Sequence, residues 1–250
     1  MYNEVKYLPE GDCGLVMEFS DAIEPEANAR IRTLLNVLEK DGLESLGIME
    51  LIPTYRSILF LYDPVKTDFK GLCARLQALD QSGSENQERA FRRVTIPVLY
   101  GGEEGPDLPF VAEHAGLTME EVISIHTAPD YLVYMLGFTP GFSYLGGLDE
   151  RIFTPRLKSP RLKIPAGSVG IADKQTGIYP IDSPGGWQLI GRTPLSLYTP
   201  QTDPPVLLRA GDHIQFQAID RKTYEKILEE LEKGVYEVPI EIKEASHEHI

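Results

Sequence analysis

Between Gly137 and Pro200 the chain concentrates 10 of its 22 glycines and 8 of its 19 prolines, together with Trp187, its one tryptophan. Glycine opens positive φ and close backbone approach, whereas proline fixes φ and removes a donor. Such density predicts short strands joined by tight turns and leaves little room for helix. The same stretch reverses the local charge. Seven Lys/Arg stand there against four Asp/Glu, while the remainder carries 17 basic and 34 acidic residues. A rigid, turn-rich, basic segment on an acidic chain has two readings. It forms the corners of a small β-barrel with arginines outside, or a preorganised anion-binding surface.

At 250 residues the chain accommodates one large domain or two ordinary ones, and its 42% hydrophobic content is that of a globular protein. The net charge of −14 disfavours nucleic acid and anionic membranes, because both repel an acidic surface. Cys13 and Cys73 are too few for a disulfide framework and form no CxxC pair, which fits a reducing, cytoplasmic setting. The opening MYNEVKYLPEGD lacks the basic-then-apolar plan of a signal peptide. The longest apolar runs, such as Tyr131 to Phe138, are well short of a membrane span.

Taken in order, Leu15 to Phe19 alternates as a strand. Pro25 begins a helix with Ala27, Ile31, Leu34, Leu35 and Leu38 at helical spacing, and Gly42 stops it. Leu46 to Ile52 and Ser57 to Tyr62 read as strands. Phe69, Leu72, Cys73, Leu76 and Leu79 mark a second helix, with Cys73 in its apolar stripe. This β-α-β-β-α order is close to a split βαβ unit that still needs a last strand. The polar run Asp80 to Arg89 reads as a linker, giving a first domain over 1–80, a linker over 81–92 and a second domain over 93–250.

Beyond it, Arg93 to Leu99 reads as a strand, and Asp107 is placed to cap a helix from Leu108 to His114. Thr118 and Glu121 have capping-box spacing for a helix ending near His126. Tyr131 to Gly137, Val206 to Arg209 and His213 to Ala218 read as strands. Asp220 caps a helix with Tyr224, Ile227, Leu228 and Leu231 on its apolar face, closed by Gly234. Tyr236 to Ile242 alternates and returns to a sheet, and the tail from Glu244 is expected to be disordered.

No P-loop, GxSxG, HExxH or dinucleotide-binding fingerprint is present. The five histidines are scattered, so no metal site is expected. His126 ends a helix before the basic stretch, where the helix C-terminus favours a positive imidazole. It reads either as an acid or base or as a cap for free carbonyls. Arg156, Arg161 and Lys163 lie in TPRLKSPRLKIP, where prolines stiffen the backbone. They read either as receptors for a carboxylate or phosphate or as solvated charge. In DSPGGW, Gly185 and Gly186 either let backbone N–H groups approach an anion or form a hairpin turn with Trp187 in the core. Tyr144 and Tyr179 either present hydroxyls to a ligand or line a barrel.

The segments GFTPGFSYLGG, PRLKSPRLKIPAGSVGIAD, QTGIYP and PGGWQLIGRTP, in that order, resemble the family of the 5-oxoprolinase B subunit. That family also holds allophanate hydrolase subunit 1 and the Kip inhibitor of a sporulation sensor kinase. GDCGLVMEFSDAIEPEANARI resembles its N-terminal signature, and GPDLPFVAEHAGL with His126 its middle, so the resemblance spans about residues 10 to 220. The segment after Asp220 is longer than the family leads one to expect.

The resemblance implies an α+β fold: an N-terminal ferredoxin-like α/β domain followed by a C-terminal cyclophilin-like β-barrel. It implies a non-autonomous cytoplasmic subunit of an ATP-dependent 5-oxoprolinase, which cleaves 5-oxo-L-proline to L-glutamate with the enzyme's A and C subunits. The C subunit, related to biotin-dependent carboxyltransferases, is the expected direct partner. ATP is expected at the level of the complex. Two alternatives come with the family: a binding protein that inhibits histidine-kinase autophosphorylation, and a carboxyltransferase subunit acting on urea-type substrates. Opening a lactam with ATP develops charge on phosphoryl oxygens, which fixed cations and N–H groups stabilise. The expected catalytic residues are therefore His126, Arg156 and Arg161. Lys163, Tyr144, Tyr179, Gly141, Gly185, Gly186 and Trp187 are the expected binding residues.

Overall fold

The computed structural model describes residues 1–2, 4–83 and 90–244, and the chain divides into two compact units, Met1–Arg89 and Ala90–Ile250. The first contains β1 (Lys6–Glu10), β2 (Gly14–Glu18), α1 (Pro25–Asp41), β3 (Ile48–Pro53), β4 (Ser57–Tyr62) and α2 (Phe69–Gly83). Its sheet is antiparallel throughout, in the order β1-β2-β4-β3. The strand that the β-α-β-β-α reading lacked therefore comes from the N-terminal side, as β1. KYLPE escapes a pattern search because it is an exposed edge strand with one half-buried residue, and Pro9 is tolerated only at such an edge.

Leu15, Met17, Ile58 and Phe60 of the sheet are buried against Ala27, Ile31, Leu34 and Leu38 of α1 and Leu72 and Leu76 of α2. Burying each large apolar side chain contributes about 1.5–3 kcal/mol, which holds the helical stripes to the sheet. Gly42 ends α1 at φ 80°, its N–H donating to the Leu38 carbonyl. Cys73 is half-buried beside this core, and burial raises its thiol pKa. The two ends of the segment read as a linker lie in regular elements. α2 continues to Gly83 and the next strand begins at Ala90, while 84–89 lie outside the described residues. Asp80 sits within α2, and its carboxylate takes a bidentate pair from Arg30 at 2.9 and 2.5 Å.

The second unit contains β5 (Ala90–Tyr100), α3 (Leu108–Ala115), α4 (Met119–Thr127), β6 (Asp130–Leu136), β7 (Ser143–Gly146), β8 (Arg161–Ile164) and β9 (Ser168–Ala172). It continues with β10 (Gln175–Ile178), β11 (Ser183–Gly185), β12 (Gln188–Arg192), β13 (His213–Ala218), α5 (Arg221–Glu232) and β14 (Ile240–Glu244). The large sheet follows β10-β9-β12-β5-β13-β6-β7, and β14 also pairs β5, with Ile240 opposite Val94. Only the β5–β13 pairing is parallel.

The two ends of that path meet. A Cβ on Gly177 of β10 would touch the Ser143 carbonyl of β7 at 3.4 Å, so the sheet curls into a nearly closed barrel. Alternate residues of β5 (Val94, Ile96, Val98) point into its core with Val133, Val169, Ile171, Ile190, Ile214 and Phe216. Val111 of α3 and Val122 of α4 join them. β8 and β11 form a separate two-stranded ribbon beside the barrel.

The helix starts follow the sequence closely. Thr118 and Glu121 complete the capping box of α4, and the Asp220 carboxylate accepts from the Thr223 N–H at the start of α5. Val206 to Arg209 is not a strand: Val206 makes a single bridge to Tyr198. The return strand covers 240–244 only, though Tyr236 and Val238 pack on the core. The tail beyond Glu244 lies outside the described residues.

Candidate functional site

The basic stretch lines a cleft of about 320 Å³ in the second unit, where the β8 ribbon, the start of β9, the end of β12 and the loop before α3 come together. Arg161, Lys163 and Arg192 are its cations, and Glu103 and Glu104 its carboxylates. Asp107 organises it. One carboxylate oxygen accepts from Arg161 at 2.7 Å and the other from the Leu189 N–H at 2.6 Å. Asp107 therefore does not cap α3 with its side chain, as the sequence suggested. It ties that helix to β8 and β12 instead. Arg161 also donates to the Trp187 carbonyl at 3.2 Å. Its position is thereby fixed by two independent bonds, as preorganised charge requires.

Lys163 and Arg156 of the segment are also paired, as is Arg221 of α5. Lys163 meets Asp182 at 2.8 Å, and this contact is the largest influence holding the Asp182 carboxyl below its usual range. Arg221, from α5, grips Glu104 through both oxygens at 2.7 and 2.5 Å and lowers the Glu104 carboxyl in the same way. Arg156 bonds Asp173 at 3.0 Å on the exposed surface and is not among the cleft residues. The structure thus brings Arg161 and Lys163 together and leaves Arg156 apart.

His126 lies elsewhere, fully enclosed in the barrel core. Nδ1 is 2.8 Å from the Tyr100 hydroxyl and Nε2 is 2.8 Å from Thr176 Oγ1. Thr176 Oγ1 itself donates to the Gly170 carbonyl at 3.0 Å, so it accepts from Nε2–H. Nδ1 then accepts from Tyr100, which fixes one neutral tautomer. The ring packs on Phe216 and Tyr131, with centroids 4.6 and 5.5 Å away. Burial drives its pKa down to about 3. The expectation of a cationic, proton-transferring His126 gives way here, because desolvation outweighs the attraction of a helix C-terminus.

The expected aromatic and glycine residues form a packed cluster. Trp187, Tyr179 and Tyr144 surround Phe142 edge-to-face, with centroids 5.2–5.8 Å from it. Tyr179 is buried, and desolvation raises its hydroxyl pKa to about 12. Gly185 makes this packing possible: a Cβ there would stand 2.4 Å from the Tyr179 hydroxyl. Pro184 and Gly185 lie in β11, which pairs with β8, and Trp187 is buried in this cluster. Gly186 accepts from the Leu157 N–H at 2.7 Å. Gly141 is buried at φ 82° in the loop between β6 and β7. Gly137 donates to Phe142, Thr139 to Gly137, and Phe142 to Thr139. Among the described residues no group of three or more His, Cys, Asp or Glu stands close enough to hold a metal ion. None of the described helices is long and apolar enough to cross a membrane.

A family model described as carboxyltransferase domain, subdomain C and D, matches residues 5–208. The chain belongs to that family. Within it, the chain is 44% identical over 238 residues to the 5-oxoprolinase B subunit of Bacillus subtilis, covering 90% of this chain and 98% of that one. It is 26% identical over 278 residues to the urea amidolyase of Saccharomyces cerevisiae, which covers 98% of this chain but 15% of that larger protein. Among solved structures, a conserved uncharacterized protein from Pyrococcus horikoshii is 47% identical with a TM-score of 0.52, covering 88% and 100% of the two chains. Kluyveromyces lactis urea carboxylase, 22% identical, shares the fold with a TM-score of 0.76 over 96% of this chain and 24% of that one. The family's mixed α/β architecture with its nearly closed barrel is therefore the architecture of this chain.

Two residues of the site escaped the sequence reading. Asp107 was visible only as a helix cap, because its partners lie 54 and 82 residues away. Arg192, in IGRTP, lacked the proline-flanked signature that drew attention to Arg156 and Arg161. The signal available for it was its place among the cations of the basic stretch.

Proposed function

We propose that this chain is the B subunit of an ATP-dependent 5-oxoprolinase, opening 5-oxo-L-proline to L-glutamate together with the A and C subunits. The observation that carries the reading is the 44% identity to a 5-oxoprolinase B subunit over nearly the whole of both chains. The first unit is then a ferredoxin-like layer whose fourth strand, β1, comes from the N-terminus, and the second a cyclophilin-like barrel. The sheet orders support both assignments. The fold likeness carries no isomerase activity with it.

In this reading the cleft faces the shared reaction site. Lactam opening needs an activated amide carbonyl and a stabilised anion, and Arg161 is preorganised for the second task by Asp107 and the Trp187 carbonyl. Lys163 adds charge at the exposed edge. ATP is bound at the level of the complex, at a site on or shared with a partner chain, and the isolated chain is inactive. His126 takes no part in proton transfer. The cytoplasm is the compartment that suits a chain with two free cysteines.

Deleting the gene in its host should cause 5-oxoproline to accumulate and abolish ATP-dependent glutamate release in extracts, with both restored by the gene in trans. Unchanged 5-oxoproline turnover in the deletion strain would refute the reading. The urea amidolyase likeness favours a second reading, a carboxyltransferase subunit for a urea-type substrate. Activity dependent on a biotinylated carrier would select it.

A further inference from the structure

The cations around the cleft are matched to carboxylates, with one exception. Arg161 has Asp107, Lys163 has Asp182 and Arg221 has Glu104. The Arg192 Nε donates to the Ala166 carbonyl at 2.9 Å, which fixes the plane of the guanidinium. Its two terminal nitrogens enter none of the hydrogen bonds or ion pairs among the described residues. Arg192 is half-buried, and Glu104 and Asp182 feel its charge through space without bonding it, so its terminal N–H groups stay available to a ligand carboxylate.

The neighbour across the sheet points the same way. Arg192 of β12 stands directly opposite Ser168 of β9, so both side chains project from one face. Ser168 is only 2% exposed, lines the cleft, and its hydroxyl likewise takes no partner among the described residues. The Arg192 stem crosses Gly167, where a Cβ would stand 3.5 Å from Arg192 Cγ and 2.5 Å from the Thr193 carbonyl. Glu103 lines the cleft too, and its carboxylate is in no ion pair among the described residues. The terminal N–H groups of a guanidinium, a buried hydroxyl and a carboxylate, none of them in a hydrogen bond or ion pair among the described residues, therefore share one small space. Its volume lies at the low end of small-molecule sites, which run to about 1,000 Å³.

We infer that Arg192 and Ser168 form a carboxylate receptor in this cleft and that Glu103 accepts from an N–H beside that carboxylate. The ligand class is a compact α-amido or α-amino carboxylate. This deepens the proposed function and rests on it for the ligand's name: 5-oxoproline enters with its lactam N–H toward Glu103, and glutamate leaves with its ammonium there. Arg192 and Ser168 are substrate-binding residues, and Arg161, held by Asp107 and the Trp187 carbonyl, keeps its separate anion-stabilising task.

The test is steady-state kinetics of the complex reconstituted with its cognate A and C subunits. Replacing Arg192→Ala should raise KM for 5-oxoproline by about 10- to 100-fold, the loss expected for a charge-assisted hydrogen bond, and leave KM for ATP within about twofold. Arg192→Lys should recover part of the loss, and Ser168→Ala should raise the same KM several-fold. A 5-oxoproline KM within about twofold of wild type in Arg192→Ala would overturn the inference while leaving the proposed function standing. If Arg192→Ala fails to assemble, Arg192→Lys and Ser168→Ala decide on the same readout.

If the wild-type complex makes no glutamate, the proposed function fails. The inference is then decided by NMR titration of the full chain with 5-oxoproline, 2-pyrrolidinone and cyclopentanecarboxylate. Shifts at Ser168 and Arg192 Nε with 5-oxoproline, weaker with cyclopentanecarboxylate and absent with 2-pyrrolidinone, uphold it. No shift at these groups with 5-oxoproline overturns it.

Discussion

Replacing His126 by Gln should flatten the acid side of this chain's stability curve. In the folded barrel the imidazole is enclosed, bonded at both nitrogens and held neutral, with its pKa at about 3. In the unfolded chain it titrates near 6.5. Below that value the unfolded state takes up a proton that the folded state refuses, so stability falls as pH falls. The slope is about 1.4 kcal/mol per pH unit between 6.5 and the folded pKa. From pH 7 to pH 5 the loss is about 2 kcal/mol. A shift of the folded value by one unit barely changes this, because the folded pKa stays below pH 5 in either direction.

Gln keeps an acceptor for Tyr100 and a donor for Thr176 but does not titrate. The variant should be less stable at pH 7, since it loses ring packing against Phe216 and Tyr131. That deficit should shrink by about 2 kcal/mol at pH 5. Other groups with shifted pKa values, such as Glu104 and Asp212, are common to both chains and cancel in the difference. Urea unfolding followed by Trp187 fluorescence is suited to this, because the only tryptophan is buried in the second unit. A wild-type minus variant difference that is constant from pH 7 to pH 5 would show that His126 titrates normally in the folded protein, and the enclosed-core account would be wrong.

Three further outcomes follow from the packing. Asp107→Ala strands a half-buried Arg161 and the Leu189 N–H, and should cost about 2–3 kcal/mol by the same unfolding assay, with Asp107→Asn recovering part; an unchanged midpoint would contradict it. Gly185→Ala drives a Cβ to 2.4 Å from the Tyr179 hydroxyl and 2.8 Å from Ile164 Cδ1, and should cost about 1–3 kcal/mol. Full stability in that variant would mean that the aromatic cluster yields freely. Asp80→Ala breaks the bidentate pair with Arg30, and because Arg30 is 34% exposed and can rehydrate, about 2 kcal/mol is expected. Faster hydrogen exchange in α1 and α2 reports it, and unaltered exchange would speak against it.

Local chemistry was legible in the sequence, and long-range chemistry was not. The spacing of Ala27, Ile31, Leu34 and Leu38 set α1 against its sheet, and the Thr118–Glu121 box marked where α4 starts. Both depend on residues within a few positions of one another. β1 was missed because an exposed edge strand carries no alternation of burial. His126 was misjudged because the helix end is local, whereas the barrel wall that enclosed it is not. Its partners Tyr100 and Thr176 are 26 and 50 residues away. The Pro-Arg units stood out as cations, yet Asp173 and Asp107, which neutralise them, lie 17 and 54 residues off. Arg192 reverses the case. It drew no attention as a residue type, and only the β9–β12 register shows that it shares a face with Ser168. Charge patterning marked the segment, while which of its cations line the cleft required the fold.

The most direct measurement of the central claim is ATP-dependent glutamate formation from 5-oxoproline with the purified cognate A and C subunits, with and without this chain. Glutamate formed by the three chains together, and by neither this chain alone nor the other two without it, is the predicted result. Equal turnover by the other two in the absence of this chain, or none from a complex shown to be folded and assembled, would contradict the account.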